Sequence, residues 1–93
     1  VIIIGVGGGL SYSSLNATHH ALEDIAFLRV IPNMTVICPG DAWEVRSAIR
    51  AALEIDGPVY IRIAKKNEPL IHNGIPNFTI GKGIVIRSGT DVF

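Results

Sequence analysis

Three short apolar runs, rich in β-branched residues and separated by helix-like segments, constrain the fold of this chain more than any other feature. The runs cover residues 1–6, 34–38 and 59–64. Runs of this kind are typical of strands buried on both faces, as in parallel sheets covered by helices. The order strand, helix, strand, helix, strand with short connections indicates right-handed parallel crossovers. The sequence therefore predicts an α/β fold, a parallel sheet with flanking helices.

Both segments between the runs carry helix signals. The first, from Thr18 to the stop at Pro32, repeats apolar residues at helical spacing, and Thr18 is the predicted N-cap with Asn16 as the alternative. In the second, Asp41 and Glu44 have the spacing of a capping box. Its charged residues, including Glu44, are predicted to be solvated. Its predicted apolar stripe consists of Val45, Ala48, Ile49, Ala52 and Leu53.

A glycine-rich stretch, GVGGGL from Gly5 to Leu10, follows the first run. It does not match the dinucleotide fingerprint G-x-G-x-x-G, because the last glycine of that motif falls on Leu10 when counted from Gly5. No helix is predicted directly after it. We therefore interpret it as a turn in which the backbone passes close to a neighbour or a ligand.

Charge and composition exclude some functions. The 8 basic and 8 acidic residues cancel, so the sequence gives no indication of a nucleic-acid or membrane partner. The single cysteine, Cys38, fits a reducing, cytoplasmic setting and is predicted to be a small buried strand residue. Hydrophobic residues make up 48% of the 93-residue chain, so part of its surface is expected to be covered by another protein part.

The loops that follow parallel strands share one edge of the sheet, where ligands bind in open α/β folds. Here the loops of residues 7–17, 39–40 and 65–67 are predicted to meet there. A cationic cluster beside a helix N-terminus suits an anionic ligand such as a sugar phosphate. Adjacent histidines point to different faces of a helix, so no metal site is predicted. The candidate polar residues are Thr18, His19, His20, Arg62, Lys65 and Lys66.

The tail after residue 70 does not continue the alternation of strands and helices. A turn-rich segment, residues 73–77, precedes two short strand candidates at residues 78–80 and 84–86. The tail is predicted to be a linker leaving the domain, and His72 within it is predicted to have no role.

The stretch ATHHALEDIAFLRVIPNMTVICPGDAWEVRSAIRAAL, followed by DGPVYIRIAKKNEP, resembles the pyrimidine-binding domain of transketolase-type thiamine diphosphate enzymes. The closing FTIGKGIVIRSGTDV resembles the junction into their C-terminal domain. The resemblance implies that residues 1–70 are part of a pyrimidine-binding domain, half of a thiamine diphosphate-binding fold. Residues 71–93 would be the linker and the start of the C-terminal transketolase domain.

The resemblance implies a transferase of carbohydrate metabolism that moves a two-carbon ketol unit between sugar phosphates. Its cofactor would be thiamine diphosphate with a divalent metal, Mg²⁺. In this family the glutamate that activates the cofactor lies upstream of Val1, and the metal motif belongs to a separate domain. Cofactor-binding residues are therefore not identified here, and no metal ligand is expected. The 93 residues alone are expected to be an inactive fragment that needs a diphosphate-binding domain or subunit, in a homodimer or heterotetramer.

By position, the resemblance assigns roles to three residues. His19 matches the family histidine that contacts the substrate and stabilises developing charge on its oxygen, so it is the catalytic and substrate-binding candidate. Lys65 falls where many transketolases hold the substrate phosphate with an arginine, and Arg62 matches an arginine of the deoxyxylulose phosphate synthases. Leu15 and Gly7 stand where the family has an aspartate and a histidine, so a substrate other than an ordinary pentose phosphate is expected.

Two alternatives share this domain or its fold. One is an enzyme with a different donor, either the β subunit of a 2-oxo acid dehydrogenase or a deoxyxylulose phosphate synthase. The other is a non-catalytic interaction module that keeps the fold without the chemistry. Donor assays separate the first from a transketolase, and replacement of His19 tests the second.

Overall fold

A computed structural model describes residues 1–90 and contains a three-stranded parallel sheet. The strands are β1 (Ile2–Val6), β2 (Thr35–Ile37) and β3 (Val59–Ile63), in the order β1-β3-β2. In the register, Ile2 of β1 and Thr35 of β2 both lie opposite Val59 of β3. The predicted α/β fold with a parallel sheet and flanking helices is confirmed.

The first predicted helix is much shorter than its apolar pattern indicated. Ala17–His19 is a turn of 3₁₀ helix, His20 is extended, and the α-helix α1 covers Asp24–Leu28. The predicted start at Thr18 or Asn16 is wrong, because Ala21 instead exchanges two backbone hydrogen bonds with Gly9, of 2.9 and 3.0 Å. This pairing holds the chain extended where the helix was expected.

The second helix, α2 (Ala42–Ala52), begins as predicted. The Asp41 carboxylate accepts a hydrogen bond of 2.9 Å from the N–H of Glu44. The Glu44 carboxylate reaches back to the N–H of Gly40, at 2.7 Å, which is one residue before the N-cap whose N–H a standard capping box would bind. Among the helices that lie within residues 1–90, none is long and apolar enough to cross a membrane.

The hydrophobic core lies between β3 and α2. Its buried members are Ile37, Ala48, Ala52, Val59 and Ile61. The predicted alternation along β3 is confirmed, since Val59 and Ile61 join this core while Tyr60 and Arg62 contact Asp24 on the other face. Leu53 was predicted to belong to the apolar stripe but is 69% exposed, because α2 ends at Ala52.

β1 is an edge strand of this sheet, although its apolar run predicted burial on both faces. Ile3 and Ile4 are 46% and 45% exposed, and Val6 is 60% exposed. That prediction is wrong for the part of the chain described here, because β1 pairs with β3 along one edge only, and of its apolar side chains only Ile2 packs against the core. The expectation that another protein part covers such surface stays a prediction.

The tail returns to the start of α2 and is tied to it. The backbone N–H groups of Ile71 and His72 both donate to Asp41 Oδ2 at 2.9 Å. His72 Nε2 lies 2.6 Å from Glu44 Oε1. The prediction that Glu44 is solvated is therefore wrong. His72 has a structural contact, and its lack of a role in the chemistry stays a prediction. Burial tends to raise the pKa of Asp41, but the N–H donors of His72, Glu44 and Ile71 outweigh it and lower the pKa.

The tail contains no strand between residues 71 and 90, so the two strand candidates at residues 78–80 and 84–86 are wrong. Phe78 and Ile80 instead pack against the core. The division into residues 1–70 and 71–93 stays a prediction, and its last three residues, 91–93, lie outside the described part.

Candidate functional site

The loops after the three strands meet at the carboxyl edge of the sheet, as predicted. The N–H groups of Gly7 and Gly8 both donate to the carbonyl of Ile63, at 2.9 and 3.0 Å. A first cavity of 250 Å³ opens where these loops converge. It is lined by Gly8, Gly9, Cys38, Pro39, Arg62, Ile63 and Ala64.

A second cavity of 260 Å³ lies between the start of α2 and the loop that follows β3. Its wall includes the two lysines of that loop, Lys65 and Lys66, together with the acidic residues Asp41 and Glu68. The Asp41 carboxylate accepts hydrogen bonds from backbone N–H groups, so Glu68 is the other acidic residue beside the two lysines in this wall. We call the two cavities together the edge site.

The glycines after β1 let the backbone pass close to large side chains. Gly7 has φ +86°, and a Cβ there would collide with the ring of Tyr12. A Cβ on Gly8 would lie 2.5 Å from Arg62 Nε. The interpretation of this stretch as a turn with a close neighbour is confirmed, and the neighbours are side chains of this chain.

Tyr12 connects the two residues that were predicted to bind substrate from different loops. Its ring centroid lies 6.2 Å from that of His19, with the planes inclined at 58°. Lys65 Nζ lies 4.7 Å from the Tyr12 centroid, in cation–π geometry. The His19 ring is exposed, and its Nδ1 lies 3.0 Å from Thr18 Oγ1. His19 and Lys65 therefore both lie beside the ring of Tyr12. Lys65 lines the second cavity, whereas His19 and Tyr12 line neither cavity of the edge site.

Sequence reasoning missed Tyr12. An aromatic residue in a loop of glycines and serines was the available signal, but nothing in the local pattern identified which side chains its ring would meet. Its position follows from the glycine turn, which brings residues 7–12 back over the end of β3.

Arg62 is engaged by the protein itself. Its Nη2 donates to the carbonyl of Ala21 at 2.6 Å, and its Nε lies 3.3 Å from Asp24 Oδ2, as an ion pair without hydrogen-bond alignment. The hydroxyl of Tyr60 donates to the same Asp24 oxygen at 2.6 Å. Burial and this hydrogen bond to Asp24 raise the pKa of Tyr60 to about 12.

Cys38 is exposed, and the prediction that it is a buried strand residue is wrong. β2 ends at Ile37, so Cys38 lies beyond the ladder, in the wall of the first cavity. Partial burial of the sulfur raises the pKa of the thiol, although nearby Arg62 acts in the opposite direction. The thiol is therefore mainly protonated near neutral pH.

Comparison with known proteins identifies the family. The model of the pyrimidine-binding domain of transketolase matches residues 1–69, which contain the sheet and the edge site. The chain belongs to the transketolase pyrimidine-binding domain family. Membership of this family implies dependence on thiamine diphosphate.

Two curated relatives and one solved structure illustrate the similarity. This chain is 39% identical over 93 residues to a subunit of the apulose-4-phosphate transketolase of Phocaeicola vulgatus, covering 99% of this chain and 30% of that protein. It is 41% identical over 78 residues to the 1-deoxy-D-xylulose-5-phosphate synthase of Thermus thermophilus, covering 83% of this chain and 13% of that protein. A solved split-gene transketolase, an inactive β4 tetramer, matches with a TM-score of 0.81 and 37% identity, over 98% of this chain and 28% of that chain.

The structural similarity shows that the fold is an α/β thiamine diphosphate-binding domain. This pyrimidine-binding domain spans less than a third of the length of these relatives. Their names therefore describe much larger proteins.

The residues of this pyrimidine-binding domain do not fit a Mg²⁺–diphosphate site. In residues 1–90, no group of three His, Cys, Asp or Glu side chains is placed to hold a metal ion. Asp24 is held by Tyr60 and Arg62, and Asp41 is held by backbone N–H groups. We therefore assign no step of the chemistry to a metal or cofactor held by these residues.

Proposed function

We propose that this pyrimidine-binding domain is part of a transketolase-like enzyme of carbohydrate metabolism. The enzyme transfers a two-carbon ketol unit between sugar phosphates, with thiamine diphosphate and Mg²⁺ as cofactors. The observation that supports the proposal is that His19 and Lys65, from different loops, both lie beside the ring of Tyr12. The imidazole of His19 can hydrogen-bond to a sugar oxygen, and the ammonium of Lys65 can bind a phosphate. The two groups together suit a phosphorylated sugar.

His19 and Lys65 have different tasks in this proposal. The exposed His19 imidazole hydrogen-bonds to a substrate oxygen and stabilises the charge that develops there. Lys65 binds the phosphate at the far end of the sugar as a point charge, because an ammonium lacks the bidentate fork of arginine. Tyr12 contacts both groups, so its ring links the loop of His19 to the loop of Lys65.

A diphosphate-binding domain or subunit completes the enzyme, in a homodimer or a heterotetramer. Support comes from the lack of fit between the described residues and a metal–diphosphate site. The solved relative is a split-gene transketolase whose β4 tetramer is inactive, which is consistent with a need for a complementary subunit. We place the assembled enzyme in the cytoplasm, in accord with the zero net charge and the single cysteine of the sequence.

Replacing Lys65 by alanine tests the phosphate role. In the assembled enzyme, we expect Lys65→Ala to raise KM for a ketose phosphate about 10- to 100-fold, because a hydrogen bond to a charged group is lost. KM for the same ketose without its phosphate should stay within about twofold. Lys65→Arg should retain most of the affinity. Steady-state kinetics with the two donors measure the difference.

Lys82→Ala is the matched control, since Lys82 is exposed in the tail and does not line the edge site. It should leave both KM values unchanged. Equal changes for the phosphorylated and unphosphorylated donors in Lys65→Ala would show that Lys65 does not bind the phosphate.

A second candidate function is that of a deoxyxylulose phosphate synthase. The 41% identity to such an enzyme over 78 residues favours it. The donor separates the two candidates, because a transketolase takes a ketose phosphate and the synthase takes pyruvate.

A further inference from the structure

Asp24 is a buried carboxylate that the sequence pattern gave no reason to single out. It is 9% exposed, and its Oδ2 accepts a hydrogen bond from Tyr60 and lies 3.3 Å from Arg62 Nε. Both partners are on β3, two residues apart and on the same face of the sheet. Acidic side chains are rarely buried unless they are paired, and this one is paired twice.

Arg62 also contacts the segment around Ala21, which is paired with the glycine turn. Its Nη2 donates to the Ala21 carbonyl at 2.6 Å, and the N–H of Gly9 donates to the same carbonyl at 2.9 Å. The Ala21 N–H returns a hydrogen bond of 3.0 Å to Gly9. One guanidinium group thus connects β3 to the segment that carries His19 and to the glycine turn that leads to Tyr12.

We infer that Asp24, by holding Arg62 against Ala21, is the positioning residue that sets His19 relative to Lys65. The role rests on the proposed function of these two residues. It gives Arg62 a task in orienting the loops, in place of the direct substrate contact predicted from the sequence. His19 lies on a short 3₁₀ turn without a buried residue, so the nearest anchor on its C-terminal side is Ala21, which is bonded both to Arg62 and to Gly9.

Asp24→Asn in the assembled enzyme tests this role. The amide keeps the shape and an oxygen for Tyr60 but removes the negative charge that orients Arg62. We expect kcat to fall about 10- to 100-fold, since a displacement of about 1 Å of a catalytic group has effects of this size. KM should change less than about threefold, and equally for donors with and without a phosphate. Asp56→Asn, at an exposed acidic position, should change neither value.

Arg62→Lys provides a second test that does not depend on the folding of the Asp24 variant. It keeps the positive charge beside Asp24 but loses the planar group that reaches Ala21. The same drop in kcat with little change in KM is expected. A rise in KM confined to phosphorylated donors would overturn the inference, because Arg62 would then contact the substrate phosphate.

An unchanged kcat in both variants would also overturn it. These outcomes differ from a failure of the proposed function, which would appear as no ketol transfer by the unaltered assembled enzyme. A thermal unfolding curve of each variant, compared with that of Asp56→Asn, separates loss of fold from loss of position.

Discussion

Replacing His19 by alanine in the assembled enzyme is expected to lower kcat/KM for a ketose phosphate by about 10²- to 10⁴-fold. The ring is exposed and lies beside Tyr12, so its loss removes a proton-transferring and charge-stabilising group without emptying the core. Because such a group acts mainly on the transition state, most of the loss should appear in kcat. Initial rates over a range of donor concentrations give both constants.

His72→Gln is the matched histidine control. His72 contacts Glu44 at the start of α2 and takes no part in the edge site. We expect this change to leave kcat/KM within about twofold of the unaltered enzyme, while His19→Ala loses most of it. Equal kinetics of His19→Ala and the unaltered enzyme would remove His19 from the mechanism and would favour a non-catalytic interaction module.

Replacing Ile61 by alanine is expected to lower the free energy of unfolding by about 2–5 kcal/mol. Ile61 is fully buried at the centre of β3, where it packs with Ile37 and the alanines of α2. The neighbours belong to a strand and a helix that cannot close over the missing atoms, so a cavity remains. Urea unfolding of the protein, followed by circular dichroism, measures the change.

Ile75→Ala, at a 58% exposed position in the tail, is the control with the same change of side chain. Its free energy of unfolding should stay within about 0.5 kcal/mol of the unaltered protein. Similar losses at Ile61 and Ile75 would show that the core is not centred between β3 and α2.

The features that the sequence predicted well are those fixed by neighbouring residues. The β-branched runs define β2 and β3, and Asp41 with Glu44 defines the start of α2 because both capping partners lie within one turn of chain. The sequence also predicted that the loops after the three strands meet, because parallel strands place their carboxyl ends at one edge of the sheet. This much required no knowledge of tertiary contacts.

The features that it missed depend on residues far apart in the chain. The apolar pattern after Thr18 favours a helix, but the pairing of Ala21 with Gly9 keeps the chain extended there. The ion pair between Asp24 and Arg62 joins α1 to β3, and no local pattern indicates it. The same holds for His72, whose partner Glu44 belongs to another element.

The sequence predicted only part of the candidate site, again because some of its contacts join residues that are far apart in the chain. Topology placed the loops of His19 and Lys65 at one edge, and the family resemblance proposed their roles. The position of the Tyr12 ring beside both residues depends on how the glycine turn folds back, which the pattern of residues 7–12 does not specify. In the structure Arg62 forms an ion pair with Asp24, whereas the sequence predicted that Arg62 was a cation available to a ligand.

We propose that this domain serves a ketol transferase that acts on sugar phosphates and is completed by a diphosphate-binding partner. The most direct test is the donor specificity of the assembled protein with thiamine diphosphate and Mg²⁺, assayed against an aldose phosphate acceptor. We predict transfer from a ketose phosphate, no turnover of pyruvate, and no transfer when the diphosphate-binding partner is omitted. Turnover of pyruvate in place of the ketose phosphate, or transfer without the partner, would contradict the claim.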